Sequence, residues 1–204
     1  MTSKFPTKEG EVKITHLTSF SAGQILESIK NSTPINGHRS TSKIGKFKVV
    51  LRHAPGIIAQ SASTAFKHLR QAAGTGILEY PIALVESSNG AHVLTLERPF
   101  FNPFINASEE EKTMSGIKIM KGIARLHFKK IGYGKTEANA NATPTGRIVL
   151  TDFIGLQELF KPMQEAKALA KHFAKEINPN DNTLESKLTN TYLLEIMKLS
   201  AKKT

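Results

Sequence analysis

The sequence predicts an α+β protein of two lobes, with strands in the first half of the chain and helices in the second. Short alternating runs of apolar residues dominate up to about residue 98, whereas apolar residues recur every three or four positions after residue 108. Between them lies PFFNPF, residues 99–104, whose two prolines interrupt either pattern. We therefore expect a small β-rich N-lobe at residues 1–98 and a reduced helical C-lobe at residues 99–204, together forming one unit.

The first half alternates strand-like and helix-like segments. Residues 31–45 are rich in turn-forming residues and predict a loop or a hairpin tip, while residues 1–10 predict a frayed start. The helix that follows Pro55 has Ser61 or Ser63 as its expected cap. We expect strands at residues 11–17, 46–53, 78–87 and 91–98, the last two joined by a Ser-Ser-Asn-Gly turn, and helices at residues 22–30 and 62–73.

The second half begins with a strong helix signal. Ser108 precedes three glutamates, an arrangement that caps a helix and places acids in its first turn, and the apolar spacing carries this helix to about residue 129. A short strand then ends at Asp152, and two amphipathic helices are expected at residues 162–177 and 183–199.

Composition excludes several classes of chemistry. The chain has no cysteine, which removes disulfides and thiolate sites, and its seven histidines lack the spacing of a zinc site. No apolar run approaches the roughly 18 residues of a membrane span, and the N-terminus lacks a secretory signal, so we expect a cytoplasmic protein.

The charge balance is strongly basic. Lysine and arginine outnumber aspartate and glutamate by 28 to 17, a formal net charge of +11. Such a surface attracts polyanions, which include nucleic acid, an anionic membrane face and acidic proteins. The positive residues form no continuous run, so a lysine-rich surface without a specific partner is an equal alternative.

Four segments in order carry a family resemblance: KVVLRH, ILEYPIALVES with AHVLTLERPF, IARLHFKKIGYGKTEANANATPTGR, and IVLTDFIG. This series, over about residues 44–160, resembles the protein-kinase-like fold, and is nearest to its lipopolysaccharide-kinase and small-molecule-kinase branches. The resemblance implies ATP and Mg²⁺ as ligands. By resemblance Asp152 and Asn139 would hold the metal, because carboxylate and amide oxygens suit Mg²⁺.

The resemblance also implies a nucleotide-binding set in the first half. Arg52 stands where the family has the strand lysine that binds the ATP phosphates, and Lys48 is the alternative cation on the same strand face. Glu97 and Arg98 would offer backbone groups to the adenine ring. For Arg52 a plain structural role, pairing with a neighbouring acid, is the competing interpretation.

Several catalytic elements of the family are missing. By resemblance the catalytic-loop aspartate would fall near Gly134, where GYG, residues 132–134, stands instead. The helix after Arg52 contains no acid, and no G-x-G-x-x-G loop precedes the cation-bearing strand. Glu137 would serve as the base only if the loop changed register. These losses favour a pseudokinase that acts as a scaffold or regulator through an unidentified protein partner, with or without a bound nucleotide.

Two other functions remain as alternatives. One is a divergent ATP- and Mg-dependent phosphotransferase, so the sequence leaves open whether the protein is an enzyme. The other is a basic nucleic-acid-binding protein, supported by the charge and by IGYG, residues 131–134, a weak echo of the G-x-x-G loop of RNA-binding domains. For His127, on an apolar helix face, we favour a core role over a catalytic one.

Overall fold

The computed structural model divides into two compact units. The first contains residues 1–70 and 79–98, and the second contains residues 71–78 and 99–204. The sequence-based division at residue 98 did not foresee that residues 71–78 belong to the second unit. The structure describes residues 2–7, 10–16, 19–37, 39–55, 59–96, 101–151, 155–159 and 161–202.

The first unit is built on a seven-stranded antiparallel sheet. In chain order its strands are β1 (Thr2–Thr7), β2 (Gly10–His16), β3 (Thr33–Asn36), β4 (Arg39–Ile44), β5 (Phe47–Pro55), β6 (Pro81–Ser87) and β7 (Gly90–Leu96). Their order across the sheet is β1-β2-β6-β7-β5-β4-β3. Two helices belong to this part of the chain, α1 (Ala22–Lys30) and α2 (Ala59–Gln71). An antiparallel sheet together with helices in other segments of the chain confirms the predicted α+β fold class.

The main core of this unit lies on one face of the sheet. Val49 and Leu51 of β5 and Leu94 of β7 are buried there, since alternate residues of a strand share a face. Ile25 of α1 joins them, and α1 begins with a capping box in which Ser21 and Gln24 satisfy each other's backbone N–H groups.

Residues 31–45 contain strands β3 and β4, which pair with each other. Of the two alternatives predicted for this segment, the hairpin is therefore confirmed and the loop is wrong. β4 pairs with β5 from Arg39 opposite Arg52 to Ile44 opposite Phe47. Because Ile44 is the one buried residue of β4, the sequence has no apolar alternation to reveal the strand. Pairing covers the hydrogen-bonding edge of β5, which a loop would leave open.

Two further expectations about the first unit are wrong. Residues 2–7 form strand β1 instead of a frayed start, because they pair with β2 from Thr2 opposite Thr15 to Thr7 opposite Gly10. Helix α2 begins at Ala59, so Ser61 and Ser63 lie within the helix instead of preceding it.

The second unit contains three long helices and two small antiparallel strand pairs. The helices are α3 (Glu109–Phe128), α4 (Pro162–Ile177) and α5 (Leu184–Ala201), which confirms all three predicted from the sequence. The strands are β8 (Ile131–Gly132), β9 (Ala140–Ala142), β10 (Ile148–Leu150) and β11 (Gln157–Glu158). β9 pairs with β10, and β8 pairs with β11.

Helix α3 is the central element of the second unit. Its N-terminus has the predicted capping box, since the Ser108 side chain accepts from the Glu111 N–H and Glu111 accepts from the Ser108 N–H. These hydrogen bonds lower the pKa of the Glu111 carboxyl. Its packing face includes the fully buried Ile119 and Ile123.

Residues 71–78 lie against α3 and β10. A side chain at Gly122 of α3 would collide with Ile77, whose Cβ lies 2.6 Å from the position of the added Cβ. The Leu150 N–H donates to the Ile77 carbonyl over 2.7 Å, and Leu78 forms a parallel bridge with Leu150. Within the described part of the chain, no helix has the length and apolar character needed to cross a membrane.

Candidate functional site

The loop that resembles a kinase catalytic loop leaves α3 through β8. Gly132 pairs with Gln157 of β11, and the side chain of Tyr133 is fully buried. This pairing brings residue 134 against Gly155, which follows the segment that carries Asp152. Asp152 itself lies outside the described residues.

Gly134 is fixed by a close backbone approach. Its φ angle is +76°, in the left-handed region that glycine tolerates best. A Cβ built there would fall inside the van der Waals surface of the Gly155 carbonyl oxygen. Because this neighbour is backbone and not a flexible side chain, the position has no room for the aspartate that the resemblance implies.

A carboxylate from α4 binds the backbone of this loop. Glu165 Oε1 accepts from the Tyr133 N–H over 2.5 Å, and Oε2 accepts from the Gly134 N–H over 3.3 Å. Hydrogen bonds to a charged acceptor are stronger than those between neutral groups. Glu165 is therefore used to position the loop.

The same carboxylate ends a buried polar chain. His127 Nε2 lies 3.0 Å from Glu165 Oε1, and His127 Nδ1 lies 3.0 Å from the Tyr192 hydroxyl oxygen. A carboxylate only accepts, so Nε2 donates to it, and in the neutral ring Nδ1 accepts from the tyrosine hydroxyl. Both ring nitrogens of His127 are thereby satisfied, as a core role requires.

Tyr192 stays protonated in this arrangement. Burial, and to a smaller extent the negative charge of Glu165, raises the pKa of Tyr192 to about 12. The phenol therefore remains a hydrogen-bond donor across the physiological pH range. Helices α3, α4 and α5 supply one member each, which links the loop to the helical core.

Glu137 and Asn139 meet at one cavity beside the loop. Both are exposed, and the cavity measures about 470 Å³. The Asn139 carbonyl accepts from the Thr151 N–H over 3.2 Å, which ties the loop to the end of β10. The full lining is Gly134, Lys135, Thr136, Glu137, Ala138, Asn139 and His172.

The described residues do not fit a magnesium site by themselves. Glu137 offers a carboxylate and Asn139 an amide at the cavity, but within the described ranges no three His, Asp or Glu residues are grouped to hold a metal ion. Asp152, the predicted principal ligand, falls in the undescribed segment 152–154. Metal binding by Asp152 and Asn139 stays a prediction.

In the first unit, Arg52 takes part in a buried ion pair. Its Nη2 donates to Glu79 Oε1 over 2.6 Å, and its Nη1 donates to the Thr95 hydroxyl over 2.9 Å. The Thr95 hydroxyl donates to Glu79 Oε2 over 2.6 Å, which closes the triangle. The side chains of Arg52 and Glu79 are only 11% and 2% exposed.

The sheet register brings these three residues together. Arg52 lies opposite Val93, so Thr95 is its diagonal neighbour on the same face, and Pro81 lies opposite Thr95. Glu79 lies two residues before Pro81, the first residue of β6. The sequence analysis looked for a partner acid in the helix after Arg52 and therefore missed Glu79.

The other predicted nucleotide-binding residues lie elsewhere. Lys48 is exposed and lies opposite Lys43 of β4, beside a cavity of about 470 Å³ bordered by β3 and β4 residues. Arg52 and Lys48 are four residues apart in β5 and therefore belong to the same face of the strand, but of these two only Arg52 is buried. Glu97 and Arg98 lie outside the described residues.

Neither charged centre presents a ready set of catalytic groups. Arg52 is neutralised by Glu79, and Glu165 is occupied by two backbone amides and His127. The remaining acidic group of the loop, Glu137, lies exposed at the cavity. No protein-family model matches this chain, and a search of curated proteins finds no match.

The Arg52 ion pair should behave as a buried one. Arg52→Met leaves the Glu79 carboxylate buried without its cation, so we expect a loss of about 3–5 kcal/mol in the free energy of unfolding. Arg52→Met with Glu79→Leu removes both charges and should recover much of that loss. Urea denaturation measures each value.

The half-exposed pair Lys13 and Glu86 in the same sheet provides the control, and Lys13→Met should cost no more than about 1 kcal/mol. Equal losses of unfolding free energy for Arg52→Met and Lys13→Met would contradict the conclusion that Arg52 stabilises the fold through a buried ion pair.

The Gly134 backbone should reject any side chain. Gly134→Ala adds a Cβ against the Gly155 carbonyl, so we expect a loss of at least about 2 kcal/mol in unfolding free energy. Gly146 has the similar φ of +73°, but only Lys118 Nζ lies near its Cβ position, at 3.8 Å. Gly146→Ala should therefore cost only about 1 kcal/mol. Similar losses in the two variants, measured by urea denaturation, would argue against the close approach.

Proposed function

We propose that this chain is a kinase-like protein without phosphoryl-transfer activity that acts through contacts with other proteins. One observation carries the proposal. At Gly134, near which the resemblance would put the catalytic aspartate, the backbone leaves no space for a side chain and its N–H donates to Glu165. This close approach supports a loop that lacks the catalytic aspartate.

The order of elements supports the kinase-like part of the proposal. A cation-bearing strand, β5, is followed by helix α2 and the hairpin β6–β7, and then by a long helix, a loop and the hairpin β9–β10. The resemblance expects these segments in this sequence. β7 also pairs directly with β5, which joins the strand of Arg52 to the strand that leads toward residues 97–104.

The state of Arg52 supports the loss of activity. A phosphate-binding cation works when its charge is directed to the ligand, whereas Glu79 and Thr95 bind two nitrogens of this guanidinium within 2.9 Å. The planar guanidinium also differs in size and geometry from the lysine ammonium of the family. Arg52 is better suited to stabilise the sheet than to bind a nucleotide.

The expected effect on rate is large. Removing a positioned general base typically costs about 10²–10⁴ in rate, and losing the oriented phosphate cation adds to that cost. Glu137 lies at the same cavity as Asn139, so Glu137 is the candidate base in the alternative of a divergent enzyme. That alternative makes a definite prediction about one residue.

A transfer assay decides between these functions. We expect the purified chain, incubated with Mg²⁺ and γ-labelled ATP in the presence of a protein lysate or of small alcohols, to transfer no more label than Asn139→Ala does. The physical reason is the missing base beside the metal-binding position. Labelled phosphate is counted in protein and in extracted small molecules.

Two variants give the result its meaning. Transfer that is lost in both Asp152→Ala and Glu137→Gln would overturn the proposal and identify an active phosphotransferase with Glu137 as base. Lys167→Gln, on the exposed surface of α4, serves as a variant that should not alter the outcome.

A further inference from the structure

A basic groove runs along α3 in the second unit. Lys118, Lys121 and Arg125 recur at three and four residues, so they lie on one face of the helix. Arg147, from the turn between β9 and β10, lines the same groove. The groove measures about 270 Å³, and none of its described lining residues is an aspartate or glutamate.

Two of the cations in this groove, Lys118 and Lys121, have no acidic partner among the described residues. Lys118 Nζ donates to the Gly146 carbonyl over 3.1 Å, which is a neutral acceptor. In the part of the chain that the structure describes, neither Lys118 nor Lys121 forms an ion pair. Arg125 does form one, through Nε to Glu195 Oε1 at 2.9 Å. The groove therefore keeps an excess of positive charge.

Hydrogen bonds hold one side of the groove in place, and its lining includes apolar side chains. Arg147 donates through Nε to the Gly76 carbonyl over 2.9 Å and through Nη2 to the Leu78 carbonyl over 3.2 Å. These bonds fix the turn against residues 71–78. Ile77 and Ile148 line the groove between the cations. An apolar floor with a cationic rim suits a ligand that carries both carboxylates and apolar groups.

The length of the groove fits a short peptide. Lys118 and Arg125 lie two helical turns apart, about 10 Å along the axis, which equals about three residues of extended chain. A groove for single-stranded nucleic acid follows several nucleotides and stacks bases on aromatic rings. Among the described residues that line this groove, none is aromatic.

From this charge, floor and length we infer that the groove along α3 binds an acidic peptide segment of a partner protein, with Asp or Glu carboxylates at Lys118, Lys121 and Arg125. The inference names the partner class for the proposed function and rests on that proposal in taking a protein as the partner. The groove itself does not depend on the kinase resemblance.

The test is a fluorescence-anisotropy titration of the full chain. The probe is a short labelled peptide of Asp and Glu around one leucine, at about 150 mM salt, where long-range attraction is screened. We expect saturable binding that Lys118→Gln with Lys121→Gln weakens about tenfold, since two ion pairs are lost. Lys167→Gln with Lys171→Gln removes the same charge from the exposed face of α4 and should change the affinity less than about twofold.

A gain-of-binding variant keeps the test independent of folding defects. Glu195→Gln removes the acid that pairs with Arg125 and should tighten peptide binding a few-fold, which damage to the fold would not produce. Equal weakening by both lysine pairs would overturn the site and leave only nonspecific charge attraction. An absence of peptide binding would also overturn the site, and so would a Glu195→Gln variant that binds the peptide no more tightly than the unmodified chain.

An oligouridine of equal charge separates the two polyanion classes. Tighter binding of this RNA than of the peptide, with the same sensitivity to Lys118 and Lys121, would overturn the peptide assignment. ATP plays no part in this titration. An absence of peptide binding therefore overturns only the inference about the groove. ATP-dependent transfer overturns only the proposed function.

Discussion

The Glu165 carboxylate is the constraint on which the candidate loop depends. It accepts hydrogen bonds from two consecutive backbone amides, those of Tyr133 and Gly134, and from His127. A half-buried carboxylate is stabilised only when such donors surround it. Once Glu165 is held by His127, the loop must place both amides toward α4, and Gly134 then meets the Gly155 carbonyl. The missing side chain at residue 134 follows from this backbone path.

The first unit repeats the same principle at Arg52. A cation that resembles a ligand-binding group is enclosed by Glu79 and Thr95, so its charge is satisfied within the protein. In both units, mostly buried charged groups form hydrogen bonds that hold the structure together. Among the described residues of the second unit, Lys118 and Lys121 of α3 are two of the cations that form no ion pair.

The sequence predicted the helices of the second unit well, because their signals are local. The cap at Ser108 and the apolar spacing of α4 and α5 require only neighbouring residues. Strand β4 was missed because its stability comes from pairing with β5 and not from its own apolar pattern. Glu79 and Glu165 were missed for a related reason. Glu79 binds Arg52, 27 residues away, and Glu165 binds Tyr133 and His127, 32 and 38 residues away. No local pattern distinguishes these two residues from surface glutamates.

The central claim is that Glu165 binds the backbone amides of Tyr133 and Gly134 and so holds the loop closed. Amide hydrogen exchange, measured by NMR in the unmodified chain, tests this claim most directly. The account predicts that the Tyr133 and Gly134 amides, which donate to Glu165, exchange far more slowly than the amide of the exposed Glu137 in the same loop. Their protection should approach that of Leu150, whose N–H is bonded to Ile77. Exchange of Tyr133 and Gly134 as fast as that of Glu137 would contradict the account, because the loop would then be open.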